Sequence, residues 1–182
     1  MPSSREYPER PVVGVGGVVI ENGRALLIRR GGEPLRGQWS IPGGTLETGE
    51  TLEEGTRREM AEETGLEVRV VELIEVFERI FFDDGRDQDT GSVRSPLVED
   101  PERGRRATRQ PPVPSRPRYH FVILDYLCER ICGQVRAGGD VTDVAWAGEA
   151  ELESFHLTPT ATRILTKAFA MSRARPRADT AN

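Results

Sequence analysis

The stretch "GTLETGETLEEGTRREMAEETGL" (residues 44–66) sets seven glutamates and two arginines into 23 positions. Thr51 followed by Glu54 forms a capping box, and Gly65 is suited to the left-handed stop of a helix, so a helix is predicted over 52–64. On that helix Glu59, Glu62 and Glu63 stand at i, i+3 and i+4 and share one face. Arg58 precedes Glu62 by four residues and can pair with it. Glu50 lies just before the helix and can reach the same zone through the turn. Like charges at this spacing weaken a helix. A bound divalent cation reverses that sign, and hard carboxylate oxygens suit Mg2+ or Mn2+, which keep waters and bridge to phosphates. The competing reading is a solvated acidic helix face.

The flanking segments read as strands. "VVGVGGVVI" (12–20) is β-branched and glycine-spaced, as expected of a buried strand approached closely by other backbone. Asn22-Gly23 signals a hairpin, with "ALLIRR" (25–30) as its return strand. "WSIPGG" (39–44) reads as a short extended piece ending in a turn. "LEVRVVELIEVFERIFF" (66–82) alternates with the period of strands. "YHFVILDYLC" (119–128) reads as a central strand and "DVTDVAWA" (140–147) as another. A short helix is expected at "GEAELESF", and an amphipathic helix over 158–172. "GVGG" near residue 14 lacks the spacing and the following helix of a dinucleotide fingerprint.

Residues 83–118 hold six of the 13 prolines and no aromatic residue. That composition does not bury enough apolar surface to order itself, so a disordered insertion is expected, with a lid over a ligand as the alternative. Residues 1–11 and 173–182 read as flexible tails around one domain over 12–172. The 182 residues carry a formal net charge of −5, which argues against nucleic-acid binding as the main role. No apolar run approaches the roughly 20 residues of a membrane span. The N-terminal stretch has no apolar core of a secretory signal, and the two cysteines suggest no disulfide framework. A cytoplasmic protein without membrane or nucleic-acid partners is expected.

Spacing decides between the two readings of the acidic face. Gly44, Glu50, Arg58, Glu59, Met60, Glu62, Glu63, Gly65 and Leu66 occupy every defined position of the Nudix box, and the chain resembles the Nudix hydrolases over roughly residues 12–170, apart from 83–118. The resemblance implies an α/β fold: an α/β/α sandwich with a mixed sheet and a loop–helix–loop catalytic segment. It implies Mg2+- or Mn2+-dependent hydrolysis of a nucleoside diphosphate linked to another moiety. Glu59, Glu62 and Glu63 would then hold metal with the Gly44 carbonyl, Glu59 or Glu62 would act as base, and Arg58 would orient a carboxylate. Glu99 and Glu102 are distant alternatives for the base. Arg29, Arg30, Arg36 and Trp39 flank the approach as candidate contacts for a small nucleotide substrate. ADP-ribose or a related nucleotide sugar leads. The proline that commonly marks the ADP-ribose subgroup, 16 residues past the box's final glycine, is replaced here by Phe81. Hydrolysis of oxidised dGTP in the MutT manner is the alternative, and a non-catalytic nucleotide-sugar-binding regulator is a further one. A homodimer is compatible with the resemblance.

Overall fold

Strand β1 (Val12–Glu21) organises the sheet because each of its edges is used. The structure, a computed structural model, describes residues 5–83, 87–89 (backbone only) and 116–175. Most of the 83–118 segment, with Glu99 and Glu102, and the tail beyond 175 lie outside the described residues. The remaining elements are β2 (Arg24–Arg30), β3 (Trp39–Ser40), β4 (Gly43–Thr45), α1 (Leu52–Thr64), β5 (Leu66–Phe81), β6 (Asp87–Asp89), β7 (Tyr119–Gly133), β8 (Val141–Gly148), a 3-10 helix (Glu149–Phe155) and α2 (Pro159–Ala174). The strand order is β3-β2-β1-β7-β5-β6, with β4 also on β1 and β8 also on β2.

The sheet is mixed. β1 and β7 run parallel, from Val12 opposite Phe121 to Val19 opposite Cys128. The other pairings are antiparallel. The second edge of β1 is divided: Gly14 to Gly16 pair with β4, while Ile20 and Glu21 pair with β2. Between them the Gly17 N–H donates to the Pro42 carbonyl at 3.0 Å. The catalytic-segment candidate is thus spliced directly into the middle of the sheet.

Alternation along the strands builds two cores. Val18, Leu27, Phe77 and Leu127 face α2, where Ile164, Leu165, Ala168 and Phe169 meet them. Val19, Leu26, Val68 and Cys128 face the opposite side, where α1 contributes Met60. Each fully buried side chain of this kind contributes about 1.5–3 kcal/mol. One helix on each face of one sheet is the α/β/α sandwich expected from the sequence. β5 and β7 are longer than their apolar runs, and register shifts at Glu67/Val68, Val70/Glu72 and Leu73/Glu75 let them stay paired while bending.

Glu6 and Tyr7, expected to belong to a flexible tail, are held in place. The Tyr7 hydroxyl donates to Asp83 at 2.8 Å, and its N–H donates to the Arg118 carbonyl at 2.7 Å. The Glu6 carboxylate accepts from Arg118 at 2.8 Å and from the Tyr119 hydroxyl at 2.6 Å. Backbone at 87–89, inside the segment expected to be disordered, pairs with β5. Among the described residues no helix is long and apolar enough to cross a membrane.

Candidate functional site

Helix α1 is fixed at both ends. The Thr51 hydroxyl accepts from the Glu54 N–H at 3.2 Å and the Glu54 carboxylate accepts from the Thr51 N–H at 2.8 Å. Gly65 closes the helix in the left-handed region at φ 71°. With its phase so set, the helix buries Glu59, Met60 and Glu63 and leaves Glu62 on the surface.

Arg58 ties this helix to the loop before it. Its Nε and one terminal nitrogen donate to the two oxygens of Glu50 at 2.7 and 3.0 Å, a forked, charge-assisted pair. The same guanidinium donates to the Thr45 carbonyl at 3.0 Å and to Glu59 at 2.8 Å. Its contact with Glu62, the partner expected from spacing, is the longest, at 3.4 Å. Arg58 and the Glu47 N–H hold the Glu50 carboxyl down at about 2.

The two buried glutamates stand differently. The Glu63 carboxylate accepts from the Gly43 N–H at 2.7 Å. Burial pushes its carboxyl up to about 7, against that hydrogen bond, and the charges of Glu59 and Asp140 push the same way. Burial also raises Glu59, and Arg58 opposes it. Glu59 lies directly over Gly44, where any side chain would overlap its carboxyl group. Two desolvated carboxylates side by side are an environment that a divalent cation would relieve. Among the described residues no three acidic, histidine or cysteine side chains already stand around one coordination point. The fit to a hard cation therefore rests on donor chemistry, the oxygens of Glu59, Glu62, Glu63 and Gly44.

These glutamates edge a cleft on the α2 face. Gly14 and Gly16 of β1 leave its floor open, Phe77, Phe81 and Phe121 supply aromatic surface, and Thr158, Thr160 and Ala161 bring the start of α2 to it. Its volume is about 190 Å³, against the roughly 10–15 Å³ that one water needs. An open groove leads away from it, lined by Arg58, Glu59, Glu62, Glu63 and Asp140.

Of the arginines expected to meet substrate, Arg30 lines the cleft, its Nε donating to the Pro34 carbonyl at 3.1 Å. Arg29 and Arg36 do not line it. They brace the loop between β2 and β3, donating to the Gly37 carbonyl at 3.0 Å and the Gly31 carbonyl at 2.7 Å. Trp39 packs on the core edge-to-face with Phe155, centroids 5.2 Å apart, so aromatic surface reaches the cleft from three phenylalanines instead.

Four residues that sequence reading did not single out stand here: Arg5 and Asp140, which line both cleft and groove, and Asp125 and Thr160 in the cleft. Asp125 had one visible signal, a lone charge inside the apolar run "FVILDYLC". It is 4% exposed, and burial raises its carboxyl to about 7, with Glu75 adding to the rise. Below about pH 4 the group is protonated in both folded and unfolded chains. As pH climbs toward 7 the unfolded chain gives up this proton and the folded chain keeps it, so stability falls across that window. Asp125→Asn removes this fall, which denaturant titrations at pH 5 and pH 8 measure. The variant is expected to be more stable than wild type at pH 8, on the order of a few kcal/mol.

Comparison with known proteins places this geometry. A model of the NUDIX domain matches residues 10–165. The chain belongs to the Nudix family. Among curated Nudix relatives, an ADP-ribose pyrophosphatase of Methanocaldococcus jannaschii is 29% identical over 133 residues, 73% of this chain and 59% of that protein. A MutT-like protein of Streptomyces ambofaciens is 47% identical over 77 residues, 42% of this chain and 48% of that protein. The chain thus spans about half to three-fifths of these relatives' lengths. Among solved Nudix structures, the NUDIX domain of Shewanella oneidensis NrtR, complexed with ADP ribose, superposes with a TM-score of 0.61 at 17% identity, over 92% of this chain and 91% of that one. At that identity the likeness concerns the fold.

Proposed function

We propose that the protein is a metal-dependent pyrophosphohydrolase that cleaves the diphosphate of a nucleotide linked to another moiety, with ADP-ribose or a related nucleotide sugar as substrate. The observation that carries this reading is the pair of buried glutamates, Glu59 and Glu63, set against Gly43 and Gly44 at the edge of an aromatic-lined cleft. The diphosphate lies along the glutamate groove and the nucleoside enters the cleft. Glu59, Glu62 and Glu63, with the Gly44 carbonyl, would hold Mg2+ or Mn2+, which would supply positive charge to the diphosphate and lower the pKa of a water. Glu62, exposed and held only at 3.4 Å by Arg58, accepts the proton as the water oxygen bonds to phosphorus. The bridging P–O bond breaks, and the leaving phosphate oxygen keeps its electron pair. Arg58 holds Glu50 and Glu59 in place throughout. Asp140 adds a loop carboxylate beside the groove and is the second candidate for the base.

Arg5, Arg30 and Arg79 line the cleft, and Arg5 and Arg30 serve as phosphate contacts in this reading. Arg5→Ala is expected to raise KM about tenfold, the equivalent of one charge-assisted hydrogen bond, with kcat little changed. Steady-state kinetics at low and moderate salt read this out. An unchanged KM at both removes Arg5 from the site.

A MutT-type activity on oxidised dGTP is the second reading, favoured by the 47% identity to the MutT-like protein. A non-catalytic nucleotide-sugar-binding regulator is weighed against by the complete box. A panel of ADP-ribose, other nucleotide sugars, dinucleoside polyphosphates, NADH and oxidised dGTP, with Mg2+, Mn2+ and chelator, separates these by product chromatography. Release of two phosphomonoesters from ADP-ribose supports the first reading, and release of pyrophosphate from oxidised dGTP supports the second. No metal-dependent turnover on any member overturns both. A cytoplasmic homodimer completes the proposal, and light scattering tests its dimeric state.

A further inference from the structure

Thr160 and Asp125 are polar side chains of the cleft that the hydrolytic reading leaves unused. Thr160 is 2% exposed and its hydroxyl has no hydrogen-bond partner among the described residues. Asp125 is 4% exposed, and the influences on its carboxyl are burial and the charge of Glu75, with no hydrogen bond among the described residues. An unmade hydrogen bond at such a buried group is costly, and unmatched groups of this kind ask for an explanation. Both line one cavity with Phe77, Phe81 and Phe121. The floor beside Asp125 is also specific. Gly16 is its register partner on β1, and any side chain there would overlap the Asp125 carboxyl group. The glycine thus lets the Asp125 carboxyl lie directly against the β1 backbone, and the aromatic side chains of the cleft offer stacking surface.

We propose that Asp125 is a specificity-determining residue, whose carboxyl group together with the Thr160 hydroxyl hydrogen-bonds the N–H donor edge of an aminopurine lying in this cleft. The inference rests on the nucleotide-binding part of the proposed function and deepens it. The base is read on the α2 face of the sheet, apart from the glutamates that bind phosphate. Asp125 and Thr160 bear on affinity for the base and touch no reacting atom.

The test measures binding with chelator present, so that it does not depend on turnover. AMP, GMP and purine riboside 5′-monophosphate, which lacks the exocyclic donor, are titrated into wild type, Asp125→Leu and Thr160→Val by calorimetry or chemical-shift titration. Wild type is expected to bind the better of AMP and GMP about tenfold more tightly than purine riboside 5′-monophosphate, about 1.4 kcal/mol. Asp125→Leu, which keeps the shape of the side chain and removes both acceptor oxygens, should erase most of that preference, and Thr160→Val should reduce it, while ribose 5-phosphate binds all three proteins alike. Equal affinity of wild type for the amino and non-amino purines overturns the proposal. So does an undiminished preference in both variants. If the base preference holds and no substrate of the hydrolysis panel is turned over, the catalytic reading fails while this one stands. Turnover without base preference has the opposite meaning.

Discussion

Glu59→Gln and Glu63→Gln are each expected to lower kcat about 10³-fold while the protein stays folded, a loss on the order of 4 kcal/mol in transition-state stabilisation. The size follows from charge. Each substitution keeps the shape of the side chain and removes one anion from a site whose proposed work is to concentrate positive charge on a diphosphate. The survival of the fold follows from burial. Both carboxyl groups are raised by desolvation, Glu63 to about 7, so a neutral amide relieves the interior rather than straining it. In Glu63→Gln the Gly43 N–H keeps an acceptor if the amide oxygen takes the carboxylate's place. Melting temperature and kcat are to be measured together. Near wild-type turnover in both variants would remove the glutamates from the mechanism, and unfolded variants would make their role structural.

Gly44→Ala is the second large effect. A methyl group at this position would occupy the space of the Glu59 carboxyl group, which rests on the glycine backbone. Glu59 is pinned from the other side by Arg58 at 2.8 Å, so it has to give up one of its neighbours. Misplacement of a reacting group by about 1 Å can cost 10²-fold in rate, and a fall of about that size in kcat is expected. β4 still pairs with β1 through backbone groups, so circular dichroism should be unchanged. Activity within threefold of wild type would show that Glu59 does not have to sit where it does.

Much of this was legible in the sequence, for identifiable reasons. Helix α1 was readable to its ends because Thr51, Glu54 and Gly65 are local signals whose partners lie within three or four residues. The β1–β2 hairpin was readable because Asn22-Gly23 carries its own turn geometry. The pairing of Arg58 with Glu62 that helical spacing gives is present at 3.4 Å, but its closer partners, both oxygens of Glu50, come from the preceding loop folding back, which spacing along the helix does not show. Trp39, before a turn, could be read as core packing or as a ligand contact, and which way its ring faces depends on Phe155, over a hundred residues away. Asp125, Asp140, Thr160 and Arg5 meet the box only after the strands pair. Of these only Asp125 carries a local sign, its lone charge inside an apolar run, and that sign does not say what it meets.

The clasp at the chain's start has a kinetic consequence. Glu6 and Tyr7 join Asp83, Arg118 and Tyr119 across sequence separations of 76 to 113 residues. Contacts between such remote segments carry the heaviest loop-closure entropy, so this corner should assemble late in folding and open early under native conditions. Hydrogen exchange should show the Tyr7 and Arg118 amides opening well below the free energy needed to expose β1. Because Arg5 is the next residue along, each such opening would withdraw a cation from the cleft. If the proposed function holds, the pairing of Glu6 and Tyr7 would thereby set how long a phosphorylated ligand resides there.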